Sequence, residues 1–291
     1  MKVVVSGATS MLGVALIENC IAKKQEVLAL VRKGSKRIQR LKPSKYLRVV
    51  EMEKDGTIDI ADPSYDVFYH FAWGNTTKDV RDLPLAQEEN IRMSLEMVEL
   101  AGKLGCKKFI GAGSQAEYGP VQGVIYEDTK TNPVTAYGMA KLAAGMLCKK
   151  QCERLGITCI WTRIFSVYGK NDNEGTMIKY AISKFENGET ASFSSGVQPW
   201  NYLNEEDAGE MFYRFGEKNV EAGIYHVASE ETKPLRAFIE ELAMNYPKAK
   251  CSFAEVDVNH PPMGLEPDLG KTLAAIDYHP KILFSQGVKN L

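Results

Sequence analysis

Two side chains four residues apart carry the first chemical signal in this chain. In Tyr137-Gly138-Met139-Ala140-Lys141 a phenol and an ammonium fall on one face of a helix. A phenol with an ordinary pKa of about 10 exchanges protons poorly at neutral pH. A cation held nearby favours the phenolate and moves that pKa toward the range where acid–base catalysis is efficient. The same lysine is placed to hold ribose hydroxyls of a dinucleotide. Upstream, Gly113-Ser114-Gln115-Ala116-Glu117-Tyr118-Gly119 follows an apolar run, so Ser114 lies just past the end of a strand. Parallel α/β proteins gather their reacting groups at such ends. A hydroxyl at Ser114 can donate to a carbonyl oxygen that Tyr137 also addresses. A Tyr/Lys pair or a lone serine is equally the content of a surface helix or a turn; the combination is what argues for chemistry.

A third constellation lies near the N-terminus. Gly7-Ala8-Thr9-Ser10-Met11-Leu12-Gly13 follows Val3-Val4-Val5-Ser6 and precedes a helical pattern. The first glycine permits a sharp turn, the helix N-terminus offers N–H groups to a pyrophosphate, and the last glycine lets helix and strand pack closely. Dinucleotide sites for an unphosphorylated ribose place an acid at the end of the second strand. This chain has Arg32 there, followed by Lys33, Lys36 and Arg37. A guanidinium can hold a 2′-phosphate in bidentate fashion where a carboxylate would repel it. NADP(H) is therefore the favoured cofactor, with NAD(H) as the alternative.

The elements that must position these residues alternate. Apolar strands are expected at residues 3–5, 26–31, 47–52, 66–71, from 108 to 111, and 158–164; helices at 14–24, 88–104 and 135–155. Continuous apolar strands between helices imply a parallel sheet covered on both faces, a doubly wound Rossmann architecture in the α/β class. After Gly169 the rhythm changes to shorter mixed elements, a strand at 224–227, a helix at 235–245 and a proline-bearing tail with Pro261-Pro262 and Pro267. The expected organisation is a dinucleotide-binding domain over residues 1–168, to which about 197–228 returns, and a small interleaved α/β lobe over 169–291 that binds substrate.

Composition narrows the remaining classes. The chain has 291 residues, 44% of them hydrophobic and 25% charged, with Lys+Arg 36 against Asp+Glu 37 and a formal net charge of −1. That balance leaves no electrostatic footprint for nucleic acid. No apolar window reaches the roughly 18 residues a bilayer span requires. The six cysteines form no CxxC pair, and the four histidines, His70, His226, His260 and His279, fit no metal signature. Free thiols in a reducing compartment, a cytoplasmic location and no metal are the expectations.

In these motifs the chain resembles the extended branch of the short-chain dehydrogenase/reductase family, the nucleotide-sugar epimerases, dehydratases and reductases. The likeness runs through Gly7 to Gly13, His70-Phe71-Ala72-Trp73, Asn90, Ser114 with Tyr118-Gly119, and Pro133 with Tyr137 and Lys141. It continues through Arg163-Ile164-Phe165-Ser166-Val167-Tyr168-Gly169, Trp200-Asn201-Tyr202-Leu203 with Asp207, and Gly223-Ile224-Tyr225-His226-Val227. The resemblance implies that Tyr137 is the acid/base, Lys141 the ribose clamp and the modifier of the Tyr137 pKa, and Ser114 the second donor to the substrate oxygen. It implies a cofactor held by Gly7, Thr9, Ser10, Met11, Leu12, Gly13, Arg32, Phe71, Ala72, Trp73, Asn90, Tyr137, Lys141 and Ile164. A nucleotide sugar would meet Ser114, Gln115, Ser166 and Trp200, and a homodimer would form through the two long helices.

The departures from the family pattern are informative. Ser10 replaces a middle glycine. Gln115-Ala116 stands where 4,6-dehydratases have an Asp-Glu pair, and an amide and a methyl supply neither acid nor base for eliminating water. Trp200, after Gln198-Pro199, falls where an arginine often meets the diphosphate, and Ser166 replaces a frequent asparagine; Lys179 and Arg236 are the nearest alternative charges. The basic residues after strand two favour NADP(H)-dependent reduction of a nucleoside-diphosphate 4-keto-6-deoxyhexose over an NAD-dependent 4-epimerase. A dehydratase and a non-catalytic cofactor-sensing regulator rank below both.

Overall fold

The computed structural model describes residues 1–52, 64–77, 79–256 and 263–291; His260 and the Pro261-Pro262 pair lie outside them. The N-terminal half runs β1 (Lys2–Ser6), α1 (Met11–Ala22), β2 (Glu26–Arg32), β3 (Leu47–Met52), β4 (Val67–His70), α2 (Pro84–Lys103), β5 (Lys108–Ser114), α3 (Ala136–Leu155) and β6 (Thr158–Ile164). The remainder runs β7 (Ser166–Tyr168), α4 (Met177–Glu186), β8 (Thr190–Phe193), β9 (Pro199–Asn204), α5 (Glu205–Glu217), β10 (Gly223–Val227), β11 (Thr232–Pro234), α6 (Leu235–Ala243), β12 (Lys250–Phe253), α7 (Gly270–Ile276) and α8 (Phe284–Gly287). Seven strands form one parallel sheet in the order β10-β6-β5-β4-β1-β2-β3. This is the doubly wound α/β architecture expected from the alternation.

Strand period two divides the core. Val3 and Val5 of β1 pack with Leu16 and Ile17 of α1 and with Met211, Phe212 and Phe215 of α5. Val4, between them, points to the other face and packs with Val98 of α2 and Ala144 and Cys148 of α3. Both faces are buried, so the strands read as continuous apolar runs. A second core, with Tyr168, Ile178, Phe185, Phe238 and Phe284, lies under the small sheet β11-β9-β7 and the β12-β8 pair. The chain leaves β9 through α5, capped by the Asn204 side chain, and returns to the large sheet as β10.

Two helix starts differ from the sequence reading for local reasons. Helix α1 starts at Met11, because the Ser10 hydroxyl accepts from the Gly13 amide and caps it there. Helix α2 starts at Pro84, a turn before its apolar period becomes visible, since proline at the first helical position is already set to a helical φ. Between β2 and β3 the chain makes only a 3₁₀ turn, Lys36–Arg40. No helix among the described residues is long and apolar enough to cross a membrane, and no group of three or more His, Cys, Asp or Glu among them could hold a metal ion.

Two buried histidines brace the sheet. His226 on β10 meets the Asp268 carbonyl through Nδ1 at 2.8 Å and the Tyr118 hydroxyl through Nε2 at 2.6 Å. A carbonyl only accepts, so Nδ1 carries the hydrogen and Tyr118 donates to Nε2. His70 lies between the hydroxyls of Ser6 (2.7 Å) and Ser94 (3.0 Å). Burial pushes His226 down to about 4 and His70 down to about 3. A depressed histidine stabilises the fold above its unfolded pKa of about 6.5, and that stability is lost as pH falls toward the folded values. Each should cost about 2 kcal/mol at pH 5. Denaturant midpoints are expected to drop between pH 7.5 and pH 5, with a smaller drop in His226→Gln; equal midpoints at the two pH values would refute this account.

Candidate active site

The ends of β1 and β4 lie side by side where the strand order reverses, the position at which doubly wound sheets open a ligand crevice. Gly7 turns there with φ +69°, and a Cβ on it would sit 2.5 Å from the Ala72 amide nitrogen. A Cβ on Gly13 would sit 2.5 Å from the Gly7 carbonyl oxygen. Thr9 and Ser10 complete the turn, and Met11, Leu12 and Gly13 form the first turn of α1. The cradle therefore fits the phosphates of a dinucleotide, with backbone where any side chain would intrude. Ser10, the departure from the glycine pattern, serves as the cap. Arg32 ends β2 exposed to solvent. Arg40, which the sequence reading passed over, is the arginine that reaches the loop: its Nη1 donates to the carbonyls of Thr9 (3.4 Å) and Asn171 (3.1 Å).

On the other side of the crevice the structure brings Ser114, Tyr137 and Lys141 together. Gly138 lets α3 close onto the turn after β5, since a Cβ there would lie 2.4 Å from the Ala116 carbonyl. That approach brings Tyr137 near enough to Ser114 for the serine hydroxyl to favour the phenolate. The N-terminus of α3 is held twice: Thr135 Oγ1 accepts from the Gly138 amide at 3.1 Å, and Asp82 Oδ1 from the Ala136 amide at 2.6 Å. Beneath Ser114 lies Glu117, fully buried. Its Oε1 accepts from the Ser114 amide (2.8 Å) and the Trp161 indole (2.9 Å), and its Oε2 pairs with Arg163 Nε at 2.8 Å.

Burial dominates the electrostatics of Lys141 and Tyr137. Lys141 is buried, donates to the Ala112 carbonyl at 2.6 Å and stands 3.6 Å above the Trp73 ring, against 5.8 Å from the Tyr137 ring. Burial lowers its pKa to about 7, opposed by the charge of Glu117. Burial raises the Tyr137 phenol above its ordinary value, and the influences that oppose this are the Ser114 hydrogen bond and the charge of Arg81. The ammonium is committed to a carbonyl and to the face of an indole that itself packs on Tyr137.

Phe71, Ala72 and Trp73 line the crevice after β4. Phe71 is fixed edge-on against Phe212, and Trp73 lies edge-on to Tyr137 with its indole donating to Gln87 at 3.0 Å. Asn90 is buried and acts on the loop backbone: its amide brackets Gly74, accepting from N at 2.7 Å and donating to O at 3.1 Å. Ile164 is in register with Ser114 across β5 and β6, and Ser166 follows on β7, half-buried. Gln115 and Trp200 are half-buried, on the turn after β5 and on β9. Gln198, beside Trp200, is buried with Oε1 unpartnered among the described residues. Of the two substitute charges, Arg236 is paired with Glu240 (2.8 Å) and stacked on Phe253, whereas Lys179 lines a lobe cleft of about 660 Å³ with Tyr180, Ser192 and Phe193.

Sequence reasoning gave no role to Asp82, Gln87, Arg40, Arg81 or the Glu117–Arg163 pair. For Glu117 a signal was present: Ser114-Gln115-Ala116-Glu117 is a capping box, and both of its bonds form here. The others act across long sequence separations and carry no local pattern.

Glycine cradle, switch-point crevice and a Ser/Tyr/Lys cluster define a dinucleotide-dependent α/β enzyme. The chain belongs to the NAD dependent epimerase/dehydratase family, whose model matches residues 3–228. The uncharacterized UDP-glucose epimerase YtcB of Bacillus subtilis (strain 168) is 28% identical over 188 residues, 58% of this chain and 57% of that protein. The dTDP-6-deoxy-L-talose 4-dehydrogenase (NAD(+)) of Aggregatibacter actinomycetemcomitans is 23% identical over 252 residues, 83% of this chain and 89% of that protein. Among solved structures, the UDP-N-acetylglucosamine 4-epimerase of Methanobrevibacter ruminantium M1, in complex with UDP-N-acetylmuramic acid, superposes with a TM-score of 0.85 at 19% identity, covering 99% of this chain and 96% of that one. The UDP-glucuronic acid 4-epimerase of Bacillus cereus, in complex with NAD, gives 0.82 at 20%, covering 100% and 97%. These likenesses show a common fold.

Replacing Glu117 by Gln should leave Arg163 as an uncompensated buried cation, at a cost of about 3–5 kcal/mol. Denaturant unfolding of Glu117→Gln checks this, and a loss below about 1 kcal/mol, the scale of a surface pair, would show the ion pair to be dispensable.

Proposed function

We propose that this chain is a nucleotide-sugar 4-epimerase that works through a 4-keto intermediate. The observation that carries the proposal is that Tyr137 and Lys141 both pack on Trp73, next to the Phe71-Ala72 backbone that abuts the glycine turn, with α3 closed onto the turn that carries Ser114. Tyr137 would take the proton of the sugar C4 hydroxyl and later return it, while Ser114 holds the oxygen in place. A dinucleotide held by its phosphates along Gly7 to Gly13 would supply the acceptor and donor of the C4 hydride. Lys141, Phe71, Ala72, Trp73 and Ile164 would hold the cofactor's ribose and ring, with Asn90 keeping their loop in place. Gln115, Ser166 and Trp200 would face the sugar, and the lobe of residues 169–291 would grip its nucleoside diphosphate, with Lys179 the charge best placed for it. Relatives described as UDP-sugar 4-epimerases support the reading.

A second reading, net reduction of a 4-keto-6-deoxyhexose with NADPH, is favoured by two observations. Arg32 is exposed at the end of β2 with Lys36 and Arg37 beyond it, which favours NADPH. The relative named dTDP-6-deoxy-L-talose 4-dehydrogenase (NAD(+)), which aligns over most of both chains, supports the 4-keto-6-deoxysugar though not the phosphorylated cofactor. Five of the six thiols are buried and all are free, which suits the reducing cytoplasm.

In Tyr137→Phe, turnover should fall by about 10²–10⁴-fold, with dinucleotide affinity within a few-fold of wild type. Retained turnover would remove the proton-transfer role. With wild type, conversion of a UDP-sugar at constant nicotinamide absorbance supports the epimerase; stoichiometric NADPH oxidation with a 4-keto sugar supports the reductase.

We also infer a homodimer through α2 and α3, which pack side by side and leave Leu85, Met139, Met146 and Leu147 exposed. Sedimentation equilibrium should give twice the chain mass, and Met146→Glu/Leu147→Glu should give the monomer. A wild-type monomer at micromolar concentration refutes the pairing.

A further inference from the structure

The loop between β4 and α2 carries a cation that the reaction scheme above does not use. Arg81 is exposed, its guanidinium carbon lies 4.2 Å from the centroid of the Tyr137 ring, and it enters no ion pair among the described residues. Both limbs of the loop are tied down. Asp82 Oδ1 accepts from the Ala136 amide at 2.6 Å, one residue before Tyr137, and the Arg81 amide bonds back to the Thr77 carbonyl at 2.8 Å. On the other limb the Asn75 side chain donates to the Ala86 carbonyl and the Gln87 side chain to the Asn75 carbonyl, both at 2.8 Å. Backbone bonds and cation–π attraction therefore hold Arg81 over the phenol before any ligand arrives.

We propose that Arg81 receives a carboxylate carried by the sugar, so that the preferred substrates are nucleoside-diphosphate hexuronates. The inference rests on the reading above, in which Tyr137 acts at the C4 hydroxyl. In a hexopyranose linked through C1 the diphosphate lies across the ring from C4, whereas C5 with its exocyclic C6 is adjacent. An arginine stacked on the phenol that meets the C4 oxygen therefore lies nearer to C6 than to the phosphates. A guanidinium binds a carboxylate through two parallel N–H donors; a C6 carboxylate accepts both, and a C6 hydroxyl or methyl does not. Holding the guanidinium on the ring beforehand lowers the ordering cost of that contact. The protein's own carboxylates leave the partner's place open: Glu117 is buried and paired with Arg163, and Asp82 is engaged with the Ala136 amide. The same placement speaks against a 6-deoxyhexose, whose methyl gives the guanidinium nothing to bind.

UDP-glucuronate and UDP-glucose, compared on the NAD⁺-loaded enzyme, provide the test. Any influence of Arg81 on Tyr137 itself acts on both sugars and cancels in the ratio of their kcat/KM values. That ratio should be about 10–100 in favour of the glucuronate in wild type, carried by KM, the scale of a hydrogen-bonded charge pair. It should fall to near one in Arg81→Met, and Arg81→Lys, a point charge without the fork, should recover part of it. A wild-type ratio near one, or a high ratio retained in Arg81→Met, would overturn the inference. Conversion of neither sugar by wild type would instead overturn the proposed epimerase, and calorimetry then decides the role of Arg81 by itself. Wild type should bind UDP-glucuronate about tenfold or more tighter than UDP-glucose, and Arg81→Met should bind the two alike; equal affinities in wild type overturn the assignment.

Discussion

A single buried carboxylate ties the reactive part of this protein together. Glu117 accepts from the Ser114 amide, the Trp161 indole and the Arg163 guanidinium, which belong to the end of β5, the middle of β6 and its next inward-facing neighbour. A charge so deeply buried persists only when every lone pair is answered, and a missing partner would cost more than the pair contributes. The turn that presents Ser114 is therefore a rigid consequence of sheet packing. Because Gly138 allows α3 to rest on that turn, the rigidity passes to Tyr137. Arg163 extends the same network to the Glu127 carbonyl and the face of Tyr118, and Tyr118 reaches His226 on the outermost strand.

A parallel chain of bonds fixes the cofactor side. Ser6, the residue before the first glycine, bonds to His70, His70 to Ser94, and Ser94 donates to the Asn90 carbonyl at 2.8 Å. Asn90 then brackets Gly74 and sets the path of the loop carrying Trp73. The network runs through the sheet from the glycine turn to the far wall of the crevice, and burial keeps its histidine neutral. The polar groups of the interior are thus concentrated along two lines, one under the hydroxyl pair and one under the dinucleotide loop.

Between these lines the local dielectric does chemical work. Burial drives the phenol toward its neutral form and the ammonium toward its neutral form as well. Compared with water, the protein therefore favours the protonated phenol of Tyr137 and the uncharged amine of Lys141. Such a pair exchanges protons near neutrality only when fixed positive charge offsets desolvation.

The alternation of apolar strands with helices, the glycine turn and the Tyr137/Lys141 spacing were all legible in the sequence. They depend on period and on short-range geometry, which local residue order dictates. The start of α2 was missed by a turn because Pro84 precedes the apolar period. Sequence alone determined the doubly wound sheet and which residues stand at its strand ends. Only the tertiary structure decided what each one faces: that Lys141 turns to Ala112, that Asn90 serves a backbone, and that Arg81 covers Tyr137. Those contacts join residues tens of positions apart, and their geometry is set by how helices settle on the sheet, a property of packing that no local pattern encodes.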